Sequence, residues 1–363
     1  MKVFFDHQCY WERFGGVSRY FTEILKTNDE NAEYELALKY SNNEYLNELL
    51  YTYKHFLKNW SLPKKQYLIS LANKPYSISR LRHSSAKIVH LTHYDPYLFK
   101  WSGDKTVVST MHDMNFFAIP QFYRSHFNVL KSWQTLCAQK SDFIITISEN
   151  SKRDLMEYLK IPEDRMSVIY HGVSEKFKPT NEKRTVERPY LLFVGRRDGY
   201  KNFAVAAKAF SNVKQRYKDL CLVCTGMAFS KKEMELFREL RIENDVVALR
   251  ASENELVNLY SHAEAFVFPS FYEGFGFPIL EAMGCGCPVV CSNASCFPEI
   301  AGNAALFFEP AKDEELAEQI LALIESDSLR KELITQGLLR KSMFSWEKSR
   351  QKHLQVYTEL SRR

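Results

Sequence analysis

The chain alternates short apolar runs with longer stretches of helical periodicity, and it does so in two successive series. Strands buried on both faces of a parallel sheet give such runs, because the connecting helices cover both faces. Between the series, Glu175–Pro189 is polar, contains two prolines and has no clear period, which indicates a linker. We therefore predict an α/β chain with two Rossmann-like domains, at 1–180 and 186–345.

The apolar runs are distinct enough to place individual elements. In the first series the predicted strands are Lys2–Asp6, Val89–Leu91, Thr106–Met111, Phe143–Ile147 and Ser167–Tyr170. In the second series they are Tyr190–Val194, Cys221–Cys224, Val246–Leu249, Ala265–Phe268, Pro288–Ser292 and Ala305–Phe307. Helical patterns lie between them, among them Val17–Lys26, Asn202–Arg216 and a helix that ends at Leu159 and has Ser148 as its N-cap.

Composition places the chain among soluble globular proteins. It has 363 residues, 45% of them hydrophobic and 26% charged, which is enough to bury the cores of two domains. No uncharged apolar run approaches about 18 residues, and the amino terminus lacks the features of a signal peptide. Because the eight cysteines are scattered, with three in one apolar run, we expect buried thiols in a reducing cytoplasm.

Basic and aromatic residues are concentrated in one part of the first series. No acidic residue occurs from Leu49 to Tyr94, where aromatic side chains alternate with cations. The cations are Lys54, Lys58, Lys64, Lys65, Lys74, Arg80, Arg82 and Lys87, and the aromatic residues include Trp60 and Tyr67. The pattern is typical of a solvated face over a packed helix, or of a surface for anionic lipid or a lipid-diphosphate acceptor. We predict peripheral membrane contact through residues 51–87 at the inner face of the membrane, and no binding to nucleic acid, because no such motif accompanies the patch.

Two carboxylates eight residues apart, Glu273 and Glu281, mark the most informative segment of the second series. A Gly-Phe-Gly turn and Pro278 lie between them, which predicts a loop leading into the first turns of a helix. A helix N-terminus favours anions, so the segment suits a ligand with phosphates in the middle and hydroxyls at both ends. A sugar nucleotide has that shape. An acid–base hydrolase pair is disfavoured, because its carboxylates would flank a glycosidic bond.

The sequence around these carboxylates resembles that of a known family. PSFYEGFGFPILEAMGCGCPVV, followed by PEIAGNAALFFEP, resembles the glutamate–seven–glutamate signature of retaining glycosyltransferases of family 4. The resemblance covers nearly the whole chain. It implies the GT-B fold, with two Rossmann-like domains facing a central cleft, an N-terminal acceptor domain and a C-terminal donor domain. It also implies that a C-terminal helix, 346–363, returns to the first domain.

The resemblance assigns roles to residues that the sequence pattern already singles out. Gly15 and Gly16 follow the first strand, His112 follows the third strand, and Arg196 and Lys201 follow the first strand of the second series. From the residues alone these could be a tight turn, a structural histidine and a surface cluster; Arg197 is expected to be an exposed neighbour. The implied catalytic residues are His112, Arg196, Lys201 and Glu273. The implied donor-binding residues are Gly15, Gly16, Gly195, Arg196, Lys201, Glu273, Gly274, Phe275, Gly276, Phe277 and Glu281.

The implied reaction is transfer of a hexose from a nucleotide-diphosphate sugar with retention of anomeric configuration. No D-x-D triplet occurs, so we predict neither a metal nor another cofactor. The segments FDHQ, GGVSRYF and HDMNFFAIPQFY resemble transferases of bacterial surface polysaccharide synthesis, such as that of lipopolysaccharide. They favour GDP-mannose as donor, then a UDP-hexose, and a glycan or lipid-linked glycan as acceptor. The alternatives are a catalytically silent GT-B scaffold and a nucleotide-sugar epimerase-like protein.

Overall fold

The computed structural model describes residues 1–27, 29–49, 51–57, 65–123 and 127–362. The chain divides into two compact units. The first unit comprises Met1–Phe117, Tyr123–Gly172 and Trp346–Arg363, and the second comprises Ala118–Phe122 and Val173–Ser345. Each unit therefore takes a short segment from outside its main stretch of chain.

The first unit is built on a parallel sheet. Its strands are β1 (Lys2–Phe5), β2 (Glu33–Leu36), β3 (Tyr40–Ser41), β4 (Lys54–His55), β5 (Ile88–Leu91), β6 (Thr106–Met111), β7 (Phe143–Thr146) and β8 (Met166–Val168). Six of them form one sheet in the order β2-β1-β5-β6-β7-β8, and β3 pairs with β4 separately. The helices that follow these strands are α1 (Gly16–Leu25), α2 (Lys65–His83), α3 (Asn115–Ala118), α4 (Asn128–Lys140) and α5 (Glu149–Leu159).

The second unit repeats the plan. Its strands are β9 (Tyr190–Phe193), β10 (Cys221–Thr225), β11 (Val246–Leu249), β12 (Ala265–Phe268), β13 (Val289–Ser292) and β14 (Ala305–Phe308). Its helices are α6 (Phe203–Arg216), α7 (Lys231–Glu239), α8 (Glu253–His262), α9 (Phe277–Gly284), α10 (Phe297–Ala301), α11 (Asp313–Glu325) and α12 (Asp327–Ser342). The last helix of the chain, α13 (Trp346–Ser361), belongs to the first unit.

The predicted fold class is confirmed: both large sheets are parallel and helices connect their strands. Every predicted strand is present, and the bounds of each agree with the prediction to within two residues. The pattern missed β2, which begins at Glu33 and is polar because it lies at the sheet edge. It also placed Asn202 inside a helix, whereas Asn202 has φ 57° and caps α6 from the left-handed region.

The order of strands determines where the second unit can bind a ligand. From β9 the chain moves to β10 and β11 on one side, then returns to form β12 on the other side of β9. Loops that leave β9 and β12 therefore diverge at the carboxyl edge of the sheet, where open α/β sheets bind ligands. Beneath them, Phe193, Phe203 and Phe210 are among the side chains that pack in a fully buried core between the sheet and its helices.

No helix in the described part of the chain combines the length and the apolar character needed to cross a membrane.

Candidate functional site

The loops after β9 and β12 are joined by hydrogen bonds and an ion pair. The Phe271 N–H donates to the Tyr200 carbonyl at 2.9 Å, and Asn202 Nδ2 donates to the carbonyl of Pro269 at 3.1 Å. Between the same loops, Lys201 Nζ is ion-paired to Glu273 Oε1, with both side chains less than one-fifth exposed. The structure thus brings together two of the predicted site residues, a cation and a carboxylate from different strands.

A third loop, after β13, holds the Glu273 backbone. Ser295 Oγ donates to the Glu273 carbonyl at 2.6 Å, and Cys296 Sγ lies 3.3 Å from that oxygen and 3.1 Å from the Phe275 carbonyl. Burial raises the pKa of the Cys296 thiol, so it stays protonated and can donate. Sequence reasoning missed Ser295 and Cys296, because their partners are distant in the chain; the only signal was their place after a strand.

The Gly-Phe-Gly turn forms the start of α9 as predicted. Gly276 caps the helix with φ 93°, a conformation that disfavours a side chain, and Pro278 is the second helical residue. Phe275 is 3% exposed and packs against the Phe277 ring, with centroids 5.4 Å apart. A buried Phe275 ring leaves the backbone of Gly274 to Phe277 as the part of this turn that can face a ligand.

Glu281 lies in the second turn of α9 and is only 6% exposed. Its carboxylate is near the Tyr260 hydroxyl of α8: burial, and next the charge of Glu281, raises the pKa of Tyr260. Burial also raises the pKa of the Cys285 thiol. A hydrogen bond with Ser261 lowers that pKa, and the charge of the Glu281 carboxylate raises it. Glu281 therefore faces α8 and is much less accessible than an exposed helix glutamate would be.

Two adjacent arginines after β9 have different environments. Arg196 is exposed and binds Asp198 through two nitrogens, at 3.1 and 2.8 Å, and this hydrogen bonding lowers the pKa of Asp198. The expectation that Arg197 is an exposed neighbour is wrong. Its side chain is 8% exposed, because its Nε contacts Glu233 Oε1 at 2.5 Å and its guanidinium lies 4.8 Å from the centre of the Phe229 ring.

A cavity of about 1010 Å³ lies beside these arginines, between the loop after β9, the loop after β10 and α7. Gly195 (φ 126°) and Arg196 are two of the predicted site residues that line it. The Gly195 N–H donates to Thr225 Oγ1 at 3.3 Å, which fixes the start of the loop. Lys201, Glu273 and Glu281 do not line this cavity. The predicted donor residues of the second unit thus occupy two adjoining regions of one sheet edge.

In the first unit, Gly15 and Gly16 begin α1. Gly15 is the N-cap residue without a side-chain cap, and its carbonyl accepts from Arg19 N and Ser18 Oγ, both at 3.0 Å. A Cβ on Gly16 would have no atom within 4 Å in the described part of the chain, so packing does not require glycine there. Space is open beside Gly16, whereas a Cβ on Gly15 would lie 3.4 Å from Glu12 Oε2, and the binding role of the two glycines stays a prediction.

His112 follows β6 and is 9% exposed. Its ring packs edge-on against Tyr20 (centroids 5.2 Å apart) and is stacked with His171 (6.2 Å). Burial, with a smaller effect from His93, lowers the pKa of His112 to about 3, so the imidazole is neutral near pH 7. Its Nε2 has no hydrogen-bond partner among the described residues. A neutral ring with a spare nitrogen can bond a hydroxyl, but it cannot supply a charge.

Asp113 does not have to orient this ring to explain its presence. Its Oδ1 accepts from the Asn115 N–H at 3.2 Å, so this carboxylate caps the turn that follows His112. The described residues include no group of three or more His, Cys, Asp or Glu side chains arranged to hold a metal ion.

Helix α2 carries several of the predicted basic residues, and they are engaged. Lys74 Nζ is 2.5 Å from Asp95 Oδ2, Arg80 is paired with Glu35, and Arg82 lies 5.3 Å from the Trp101 ring centre. Lys58, Trp60 and Lys64 lie outside the described residues. Exposed apolar side chains also occur on α2, at Tyr67, Leu68 and Leu71.

Two family models match the chain in succession. "Glycosyltransferase Family 4" matches residues 14–177, and "Glycosyl transferases group 1" matches residues 174–340. Together they span almost all of both units. The chain therefore belongs to the glycosyltransferases of family 4, and the resemblance inferred from its sequence is confirmed.

Among its relatives is O-antigen chain mannosyltransferase B of Escherichia coli, 25% identical over 98% of this chain and 99% of that protein. O-antigen chain mannosyltransferase RfbU of Salmonella typhimurium is 29% identical over 68% of this chain and 67% of its own. Among solved structures, Anabaena HepE in complex with UDP and glucose has a TM-score of 0.77 at 18% identity, over 99% of each chain. Sucrose-phosphate synthase from Thermosynechococcus elongatus has a TM-score of 0.78 at 17% identity, covering 99% of this chain and 98% of its own. These structural likenesses show a shared GT-B fold.

Proposed function

We propose that this glycosyltransferase moves mannose from GDP-mannose to a glycan or lipid-linked glycan during synthesis of a surface polysaccharide. The mannosyl group is supported by the O-antigen mannosyltransferases among its relatives. A UDP-hexose is the second candidate, because a solved neighbour with the same fold holds UDP and glucose. The observation that carries the proposal is the Lys201–Glu273 pair, held where the loops after β9 and β12 meet.

That pair is suited to exchange its partners for a donor. Without a ligand, Lys201 and Glu273 neutralise each other in a half-enclosed position. A donor diphosphate is a better partner for the Lys201 ammonium group. The hydroxyls of the transferred sugar can then take the place of Lys201 at the Glu273 carboxylate. Arg196, already able to bind oxygen anions bidentately as it does with Asp198, supplies a second cation at the same loop. The N–H groups at the start of α9 add fixed dipoles that favour an anion.

The proposed reaction is retaining and has no covalent enzyme intermediate. The acceptor hydroxyl attacks the anomeric carbon on the face from which the nucleotide diphosphate departs. The departing phosphate oxygen accepts the acceptor proton, while Lys201 and Arg196 stabilise the developing negative charge. Glu281 binds the ribose hydroxyls. The neutral His112 ring bonds a hydroxyl of the transferred sugar, and no metal is required in this scheme.

A thermal-shift screen against GDP, UDP, dTDP and CMP, each with and without EDTA, tests the donor. We expect the melting temperature to rise with GDP and to be unchanged by EDTA. In the matched variants, Lys201→Met weakens GDP binding at least tenfold, because it removes a charge-assisted contact of about 1.5–3 kcal/mol. Lys208→Met serves as control, since Lys208 is an exposed residue of α6. A rise with UDP alone supports the second donor, and no rise with any nucleotide supports a silent scaffold.

Stereochemistry and turnover need a second experiment. Proton NMR of the product formed from GDP-α-mannose and a mannosyl acceptor should show an α-linked mannose, with activity retained after dialysis against EDTA. A β-linked product would contradict retention, and loss of activity that Mg²⁺ or Mn²⁺ restores would contradict the metal-free scheme.

We also propose that residues 51–87 contact the inner face of the membrane. The exposed Tyr67, Leu68 and Leu71 of α2 and the surplus of cations in this region support contact with anionic lipid. Cosedimentation with phosphatidylglycerol vesicles should exceed that with phosphatidylcholine vesicles and fall in the Tyr67→Ser/Leu71→Ser variant. Equal cosedimentation of the variant and the unaltered protein would contradict this contact.

A further inference from the structure

Five polar side chains form a continuous buried chain through the first unit, between α1, β5, β6 and α13. Each is at most 2% exposed; they are Tyr20, His90, Thr110, His353 and Tyr357. Neighbouring members are hydrogen-bonded, at 2.6 Å for His90 Nδ1 with Tyr357 Oη and 2.9 Å for His90 Nε2 with Thr110 Oγ1. Tyr20 Oη lies 3.1 Å from Thr110 Oγ1 and 2.5 Å from His353 Nε2.

The Ser349 carbonyl determines the direction of the hydrogen bond between Tyr20 and His353. His353 Nδ1 is 2.7 Å from the Ser349 carbonyl oxygen, which can only accept, so Nδ1 carries the hydrogen. Burial lowers the pKa of His353 to about 4, so near pH 7 the ring is neutral and its Nε2 has a lone pair. The Tyr20 hydroxyl must therefore donate to His353.

The remaining directions follow in turn. Tyr20 has used its only hydrogen, so its oxygen accepts from the Thr110 hydroxyl. Thr110 has then used its hydrogen and accepts from His90 Nε2–H, which leaves His90 Nδ1 to accept from Tyr357. Any other assignment with neutral rings leaves one contact without a hydrogen. The chain therefore fixes the Nδ1–H tautomer for His353 and the Nε2–H tautomer for His90.

One member of this chain, Tyr20, contacts a residue of the proposed reaction. Thr110 lies in β6 two positions before His112, which follows that strand, and the Tyr20 ring is nearly perpendicular to the His112 imidazole, at 85°. The Tyr20 oxygen is held from two sides, by β6 and by α13, so the ring cannot move away from His112 without breaking two buried hydrogen bonds. The imidazole of His112 packs against both this ring and the ring of His171, which are themselves in contact, with centroids 4.8 Å apart.

We propose that Tyr20 is a positioning residue, which sets the orientation of the His112 imidazole and is itself held by His353 of the C-terminal helix. The consequence for catalysis rests on the proposed function, because it requires His112 to bond the transferred sugar. The control of a site residue by a helix more than 200 residues away in the sequence is independent of which sugar is transferred.

The Tyr20→Phe variant removes the hydroxyl and keeps the ring. We expect kcat for mannosyl transfer to fall about tenfold or more, since small misplacements of a positioned group are costly, with GDP affinity unchanged. Tyr10→Phe is the matched control: Tyr10 is fully buried in the same unit, and its hydroxyl bonds Thr22 of α1 at 3.1 Å. His353→Gln, which can still accept from Tyr20, should retain more activity than His353→Leu.

A purely structural role gives a different result. In that case Tyr20→Phe and Tyr10→Phe would lower the melting temperature alike and leave kcat alike at a temperature where both are folded. That outcome would overturn the proposal, as would equal kcat values for His353→Gln and His353→Leu.

Nitrogen-15 spectra of the imidazoles test the directions of these hydrogen bonds even if no donor is turned over. We expect His353 as the Nδ1–H tautomer, His90 as the Nε2–H tautomer, and a shift of the His112 resonances in Tyr20→Phe but not in Tyr10→Phe. The opposite tautomers, or unmoved His112 resonances, would overturn the proposal. Absence of transfer in the unaltered protein, with these spectra as expected, would instead count against the proposed function.

Discussion

Acid should unfold the first unit selectively, because several of its histidines are buried as neutral rings. Burial is the largest cause of a lowered pKa at four of them, for which the folded values are about 3 or 4: His7, His93, His112 and His353. In the unfolded chain their pKa returns to about 6.5. The unfolded state then binds more protons, so the free energy of unfolding is highest above pH 6.5 and falls as the pH drops towards 4.

The size of the effect follows from these values. At pH 5, a histidine with a pKa of about 6.5 unfolded and 3 to 4 folded costs about 2 kcal/mol, so the four cost roughly 8 kcal/mol. Asp6 acts in the opposite direction, because burial raises its pKa to about 6. Protonation of Asp6 in the folded state raises the free energy of unfolding by only about 1 kcal/mol at pH 5. The net loss of roughly 7 kcal/mol is comparable to the whole stability of a typical domain, about 5–15 kcal/mol.

The chain has a built-in probe for this transition. Its five tryptophans all fall in the sequence ranges of the first unit, and the second unit holds none and only one histidine, His262. Tryptophan emission followed from pH 7.5 to pH 4 should shift to the red with a midpoint near pH 5. Far-UV circular dichroism should retain the contribution of the second unit. Unchanged emission at pH 4.5, or complete loss of the dichroism signal in the same transition, would refute the reasoning.

Three substitutions in the second unit test its packing. Gly284→Ala should lower stability by about 1–3 kcal/mol in urea unfolding, because its Cβ would lie 2.6 Å from the Phe177 carbonyl oxygen; an unchanged midpoint would contradict this contact. Asn202→Ala should cost about 2–3 kcal/mol, since it removes two hydrogen bonds to buried carbonyls and places alanine at φ 57°, and a loss below 0.5 kcal/mol would disprove the assignment. Arg197→Lys should lower the melting temperature although the charge opposite Glu233 is kept, because lysine cannot reproduce the contacts of the planar guanidinium; equal melting temperatures would show that only the charge matters.

Local patterns were sufficient for much of the fold. Strands such as Tyr190–Phe193 are continuous apolar runs, so their burial on both faces can be read directly. The edge strand Glu33–Leu36 could not be read in this way, because it is not an apolar run and its alternation of charged and apolar residues lasts only four positions. The glutamate motif likewise placed Gly276 and Pro278 correctly, since turn and cap chemistry is local.

The supports of the site could not be read from the sequence, because they depend on long-range contacts. Cys296 looks like one more apolar residue until its thiol is seen beside the carbonyls of Glu273 and Phe275. Nothing in the sequence pattern of the C-terminal helix relates His353 to Tyr20, 333 positions away. Adjacent arginines are equally basic in the sequence, and only the position of Glu233 on α7 distinguishes the buried Arg197 from the exposed Arg196.

The membership of α13 in the first unit has a consequence for synthesis on the ribosome. Residues 173–345 all leave the ribosome before α13 does, so the second unit can complete its core while the first unit still lacks a helix. The missing helix contributes His353, Val356, Tyr357 and Leu360, all buried. The unit that is translated first is therefore completed last, and during that interval His90 and Tyr20 are without the partners that close their chain of hydrogen bonds.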